Sequence, residues 1–237
     1  MTQRTSSARR RVSDTRPKSL RRRVWAATRL LRLYWRYAQF PWMSPVIIKG
    51  TENLPRRGAV IVYANHPTVR EPRALFTALN RNAVFLAKDS LFKHWLLGPI
   101  LRWFGHIPVA RGTDAARQAS DFALKVLLEG GVVVIFPEGG CTPDGQSLGD
   151  FKGGLSFMAQ QAQVRVVPAL ITGTTTRPPV GWRRWFERKP PVTVEFLQFL
   201  APPARPDDET AASDARQAFT ELARQTLLKR MLASQRS

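Results

Sequence analysis

Three short runs of this chain are apolar almost from end to end: Ala59-Val60-Ile61-Val62-Tyr63, Val132-Val133-Val134-Ile135-Phe136 and Val166-Val167-Pro168-Ala169-Leu170. A strand with one wet face alternates apolar and polar residues, whereas a strand covered on both faces loses that alternation. These runs therefore read as buried strands. Val46-Ile47-Ile48-Lys49-Gly50, Ala83-Val84-Phe85-Leu86-Ala87 and Val192-Thr193-Val194-Glu195-Phe196 read as further strands. Helical patterns occupy residues 74–79, 92–104, 115–129, 155–163 and 211–232. The apolar stretch at 92–104 reads as one helix, in the core by preference or else edging a pocket for an apolar ligand, and Phe122, Val126 and Leu127 with Ala119 and Ala123 as the inner face of the next. Strands alternating with helices give an α/β domain, a central mostly parallel sheet flanked by helices.

In open α/β sheets, ligands collect at the carboxyl ends of the strands. The first run delivers Asn65 and His66 to that end, Pro67 breaks the ladder, and Glu71 follows the histidine by five residues. A histidine so placed can act as a base whose tautomer and charge are controlled by the carboxylate. His–Glu pairs are common in structural roles as well, so the neighbouring stretches decide. The second run ends in Pro137-Glu138-Gly139-Gly140, an acidic, glycine-rich turn, and Gly105-His106-Ile107-Pro108-Val109-Ala110-Arg111 follows the 92–104 stretch.

Taken in order, these stretches resemble the glycerolipid acyltransferase family (1-acylglycerol-3-phosphate acyltransferase-like). The family's N-H-x-x-x-x-D is similar to Asn65-His66 through Glu71. Its glycine-to-arginine apolar stretch is similar to Gly105 through Arg111. Its F-P-E-G-T-R-S resembles Phe136 through Thr142, and its apolar V-P strand resembles Val166 through Leu170. The resemblance spans about residues 45–200. It implies transfer of a fatty acyl group from acyl-CoA or acyl-carrier protein to a lipid hydroxyl, with 1-acylglycerol-3-phosphate as acceptor and phosphatidic acid as product. It implies His66 and Glu71 as the catalytic pair, Arg111, Phe136, Pro137, Glu138, Gly139 and Lys88 as substrate-binding residues, and no cofactor or metal beyond the acyl donor. Two positions depart from the pattern. Glu71 replaces aspartate, which keeps the carboxylate and lengthens it by one methylene. Gly140-Cys141 replaces threonine-arginine, and the resemblance implies that the arginine helps hold the acceptor's phosphate. A different lysolipid or a hydroxylated lipid is therefore the alternative acceptor.

Charge points to partners. The 237 residues carry a formal net charge of +20 and a sequence pI near 11.5, which calls for an anionic surface, lipid or nucleic acid. Residues 1–19 are Arg- and Ser-rich with little to bury, a disordered basic arm. Over 20–43, Trp25, Leu30, Leu31, Leu33, Tyr34, Trp35 and Phe40 lie among arginines. On a helical wheel, Arg22, Arg29, Arg32, Arg36 and Gln39 share an arc of roughly 100°. A helix with that arc and an aromatic remainder suits the bilayer interface. Twelve Lys/Arg up to Arg36 against Asp14 alone would also contact nucleic-acid phosphates. No recognition module accompanies them, so anionic membrane lipid is the better fit. Trp182-Arg183-Arg184-Trp185-Phe186 reads either as a second interfacial contact or as a loop packed inward. No apolar run reaches the roughly 18 residues of a spanning helix, and the amino terminus lacks a secretory h-region. The single cysteine builds no disulfide framework. The expected protein is peripheral or monotopic on the cytoplasmic face of a membrane, with 44–200 as its α/β domain and 201–237 as a linker and helix packed upon it.

Overall fold

The computed structural model describes residues 44–68, 71–110, 113–142, 147–174 and 190–236, with Ala27 and Leu30. The basic arm at 1–19, the interfacial helix expected over 20–43 (those two residues apart) and the aromatic stretch at 182–186 lie outside the described residues.

Seven strands form one sheet: β1 (Val46–Lys49), β2 (Val60–Ala64), β3 (Ala83–Lys88), β4 (Ile107–Val109), β5 (Val132–Ile135), β6 (Arg165–Thr172) and β7 (Val192–Phe196). Their order is β1-β7-β6-β2-β5-β3-β4. Neighbours run parallel except β6 and β7. The helices are α1 (Glu71–Ala78), α2 (Asp89–Phe92), α3 (Leu97–Trp103), α4 (Thr113–Leu128), α5 (Gly154–Ala162) and α6 (Glu209–Gln235). Among the described residues, no helix is long and apolar enough to cross a membrane.

Central β2 shows why its sequence lacks alternation. Val60, Val62 and Ala64 pack on one side with Ala74, Leu75 and Ala78 of α1. Ile61 and Tyr63 pack on the other with Ala123 and Leu127 of α4, Leu155 and Met158 of α5, and Phe219, Ala223 and Leu227 of α6. All five β2 residues are fully buried, and each large side chain so buried contributes about 1.5–3 kcal/mol. The Tyr63 hydroxyl donates to the Ala223 carbonyl at 3.0 Å, and burial raises its pKa far above the usual phenol value. A neutral phenol thus fastens α6 to the sheet. Asp208 caps α6, its carboxylate accepting from the Ala211 N–H at 2.7 Å.

The structure corrects several sequence expectations. The single core helix over 92–104 is instead α2, a corner and α3. Pro99 has no N–H to donate to the carbonyl of Trp95, so a helix cannot run through the corner, and proline is tolerated in the first turn of α3. Gly98 lets that turn close: a Cβ there would lie 2.2 Å from the Phe92 carbonyl oxygen. The burial expectation fails with it, because Phe92 is buried while Trp95, Leu96, Leu97, Ile100 and Trp103 are exposed. Phe122 leaves the inner face of α4, 60% exposed, with the Lys125 ammonium 5.1 Å from its ring centroid. The helix expected to start at residue 74 starts at Glu71, and β4 is a strand that the residue pattern did not announce.

Candidate active site

Strands β2, β5 and β3 are parallel neighbours, so their carboxyl ends share one edge of the sheet. The loop after β2 and the turn after β5 meet there. Asn65 fixes the exit from β2: its side-chain amide donates to the Ile171 carbonyl at 2.9 Å, and its oxygen accepts from the Ile171 N–H at 2.8 Å. This reciprocal pair ties β2 to β6 one residue before His66.

His66 Nδ1 lies 3.1 Å from Glu71 Oε2. Glu71, the first residue of α1, is fully buried, whereas the His66 side chain is 17% exposed. Burying a carboxylate is costly unless donors surround it. Thr68 supplies two: its N–H donates to Oε2 at 2.9 Å and its hydroxyl to Oε1 at 2.7 Å. An ionised carboxylate only accepts, so the Nδ1 proton is the one donated, and Nε2 keeps a lone pair. The Phe136 ring stacks on the imidazole, 4.3 Å between centroids and 29° between planes. Tautomer and ring orientation are both held.

Glu138 is committed to the scaffold. Its Oε1 accepts from the His66 N–H at 2.8 Å and its Oε2 from the Gly149 N–H at 2.8 Å. Burial pushes its carboxyl pKa up, opposed by those two donors. The carboxylate thus joins the β2 exit to the loop beyond β5. Gly149 permits this approach, since a Cβ there would stand 2.9 Å from Oε2. Pro137 is buried, and its carbonyl accepts from the Lys152 N–H at 2.9 Å. Gly139 turns the chain at φ 72°, and a Cβ there would meet the Lys152 ammonium at 2.6 Å.

Cys141 is exposed beside the histidine, with Sγ 3.8 Å from Nε2 and 4.0 Å from Nδ1. Near-equal distances place the sulfur alongside the ring rather than along the Nε2 lone pair. Burial, with the charges of Glu71 and Glu138, pushes the thiol pKa up. The geometry is that of a neighbour, not of an activated nucleophile. Lys88 is exposed at the carboxyl end of β3. The register Phe85↔Val134↔Val62 sets it on the site's edge, two strand spacings, or about 10 Å, from β2. Arg111 lies outside the described residues.

Thr68 and Gly149 are absent from the sequence-based site. Thr68 had a signal, since Thr-x-x-Glu is the spacing at which a glutamate reaches back to the threonine N–H at a helix start. Gly149 had none, because its role depends on a contact with a residue 11 positions away.

Residues 45–172 match the family profile described as Acyltransferase. Over 170 residues the chain is 31% identical to a 1-acyl-sn-glycerol-3-phosphate acyltransferase of Limnanthes alba, covering 70% of this chain and 57% of that one. Over 136 residues it is 31% identical to the enzyme of the same name from Borreliella burgdorferi, covering 56% and 54%. The chain thus spans little more than half the length of these relatives. The crystal structure of the 1-acyl-sn-glycerophosphate (LPA) acyltransferase PlsC from Thermotoga maritima superposes with a TM-score of 0.60 at 24% identity, covering 84% of this chain and 79% of that one. That likeness supports the fold.

Proposed function

Since this chain belongs to the acyltransferase family, we propose that it moves a fatty acyl group from an acyl-CoA or acyl-carrier-protein thioester to the hydroxyl of a lysolipid. The proposed acceptor is 1-acylglycerol-3-phosphate, giving phosphatidic acid for phospholipid biosynthesis. The observation that carries this reading is the His66–Glu71 pair, with a buried acid and a reachable base at the sheet's carboxyl edge. An alcohol is a poor nucleophile at neutral pH and needs its proton removed as it attacks. His66 Nε2 takes that proton while the acceptor oxygen bonds to the thioester carbonyl carbon. Glu71, oriented by Thr68, stabilises the imidazolium. Collapse of the tetrahedral intermediate expels the thiolate, which recovers the proton from His66. No acyl-enzyme is required, in keeping with the placement of Cys141.

Arg111 and Lys88 are the proposed cations for the acceptor's phosphate, since arginine offers paired donors in a fixed fork. Phe136, Pro137, Glu138 and Gly139 are the proposed shaping residues beside His66. The protein works at a membrane as a peripheral or monotopic enzyme on its cytoplasmic face, where donor and lysolipid meet. The relatives' shared name supports the acceptor, and the net charge of +20 supports an anionic bilayer. The test is acyl transfer by the purified full chain to a panel of lysolipids. Transfer to 1-acylglycerol-3-phosphate above all others is expected, and transfer to none of them would refute the reading.

A further inference from the structure

Six of the large exposed apolar side chains crowd into 13 residues: Leu91, Trp95, Leu96, Leu97, Ile100 and Trp103. Trp95 is 81% exposed. Leu96, the N-cap of α3, and Ile100 and Trp103 within it follow the i, i+4, i+7 spacing of one helical face. The surface is held in shape. Gly98 packs its backbone on the Phe92 carbonyl, and His94 Nδ1 accepts from the Leu96 and Leu97 N–H groups at 3.3 Å each. Exposed Lys88, Lys93 and Arg102 fringe the apolar face. The only acid of this corner, Asp89, is paired to Lys93 at 3.2 Å.

Topology places the patch. It follows the carboxyl end of β3, on the edge that carries His66. Strand β1 parallels β7, β7 opposes β6, and β6 parallels β2, so β1 runs opposite to β2. Its first residue, Val46, therefore also lies on the His66 edge. The Ser44 carbonyl, which accepts from Arg73 of α1 at 3.2 Å, agrees with that placement. Along this edge β2 stands between β1 and β3, which are five strand spacings, about 24 Å, apart. The aromatic, Arg-rich residues 20–43 join the domain at one end of the edge, and the α2–α3 patch occupies the other.

We infer that the α2–α3 face is a second membrane-docking surface. It seats Trp95, Leu96, Ile100 and Trp103 in an anionic bilayer, and together with the amino-terminal segment it holds the His66 edge against the lipid surface. Tryptophan and aliphatic side chains ringed by cations match the headgroup–acyl boundary. The charge of the whole chain matches anionic headgroups. This stands apart from the acceptor's identity, because it concerns binding and needs no turnover.

The experiment uses the full chain and vesicles of phosphatidylcholine with phosphatidylglycerol. The triple variant Trp95→Ser, Leu96→Ser, Trp103→Ser is compared with the parent in about 1 M salt, where screening leaves the apolar contribution. A loss of about 30-fold or more in partitioning at unchanged Tm is expected, given what three apolar side chains contribute when withdrawn from water. In the parent, amide exchange over residues 89–104 should slow only when vesicles are added. Unchanged partitioning of the variant, or no vesicle-induced protection in the parent, overturns the proposal. Protection already present without vesicles would assign the patch to cover by residues 20–43. A concentration-dependent dimer that the substitutions disperse would assign it to a second copy. Either result also overturns the proposal.

Discussion

At the scale of single residues, the site separates a base from the groups that aim it. With His66 as the proposed base, His66→Ala should lower turnover on the order of 10²–10⁴-fold with no change in fold. A folded variant near full activity would remove the histidine from the mechanism. Glu71→Gln keeps the shape but can present its amide N–H₂ to Nδ1, which favours the wrong tautomer. It should lose most activity, whereas Glu71→Asp should keep much of it. Thr68→Val removes the 2.7 Å hydroxyl bond to a fully buried carboxylate. It should lower kcat rather than raise KM, and it should shift the acidic limb of the pH–rate profile, a response that mere loosening of the loop would not give. Cys141 bears on the acceptor. Arginine there would offer a phosphate a charge-assisted bond of about 1.5–3 kcal/mol. Cys141→Arg should therefore lower KM for 1-acylglycerol-3-phosphate or leave it unchanged, but impair transfer to an acceptor without a terminal phosphate. Steady-state kinetics with both acceptors separates the two cases.

At the scale of elements, the β3–β4 margin carries a pH sensitivity distinct from catalysis. His106, just ahead of β4, accepts from the Phe85 N–H at 3.2 Å and lies against the rings of Phe85 and Phe104. Burial lowers its pKa from 6.5 to about 4. Between those values the unfolded chain binds a proton that the folded chain refuses, so stability falls as pH drops from 6.5 towards 4. The full loss is about 3 kcal/mol. His106→Gln can keep an acceptor for the amide and removes the titration, so its urea-unfolding stability should decline less over that window. Equal declines would show that His106 does not govern the margin. Strand β4 also marks the reach of the residue pattern. Uninterrupted apolar runs announced β2, β5 and β6 because burial on both faces leaves its mark in every residue. The three residues of β4 pair only along β3 and include an exposed proline, so too few positions are constrained to leave a pattern. The 92–104 stretch misled for a related reason: its composition is that of a core, but composition does not say which apolar faces find a partner. His66 and Glu71 were legible because both sit within seven residues of the end of β2. The commitment of Glu138 to His66 was not, because it spans 72 residues of sequence.

At the scale of the whole molecule, the proposed membrane enzyme would divide the work of reaching a bilayer between charge and apolar surface. The excess of cations, 37 against 17 acids, acts at a distance and is screened beyond about 10 Å at 0.1 M salt and about 3 Å at 1 M. Apolar insertion is short-ranged and insensitive to that screening. Each basic residue close to an anionic leaflet adds about 1 kcal/mol, so the twelve cations up to Arg36 could dominate capture at low salt. They cannot by themselves hold the His66 edge in a fixed orientation, since the attraction of charges to a charged leaflet is satisfied in many poses. In the proposed docking, the apolar and aromatic residues of 20–43 and of the α2–α3 corner would meet that need. Binding of the full chain to anionic vesicles should therefore fall steeply as salt rises and then level off at a plateau above zero. On purely zwitterionic vesicles the steep part should vanish while the plateau persists. Co-sedimentation across a salt series on both vesicle types measures this. A curve that falls to nothing at high salt would mean that charge alone brings the protein to the membrane, and that neither aromatic face enters the bilayer.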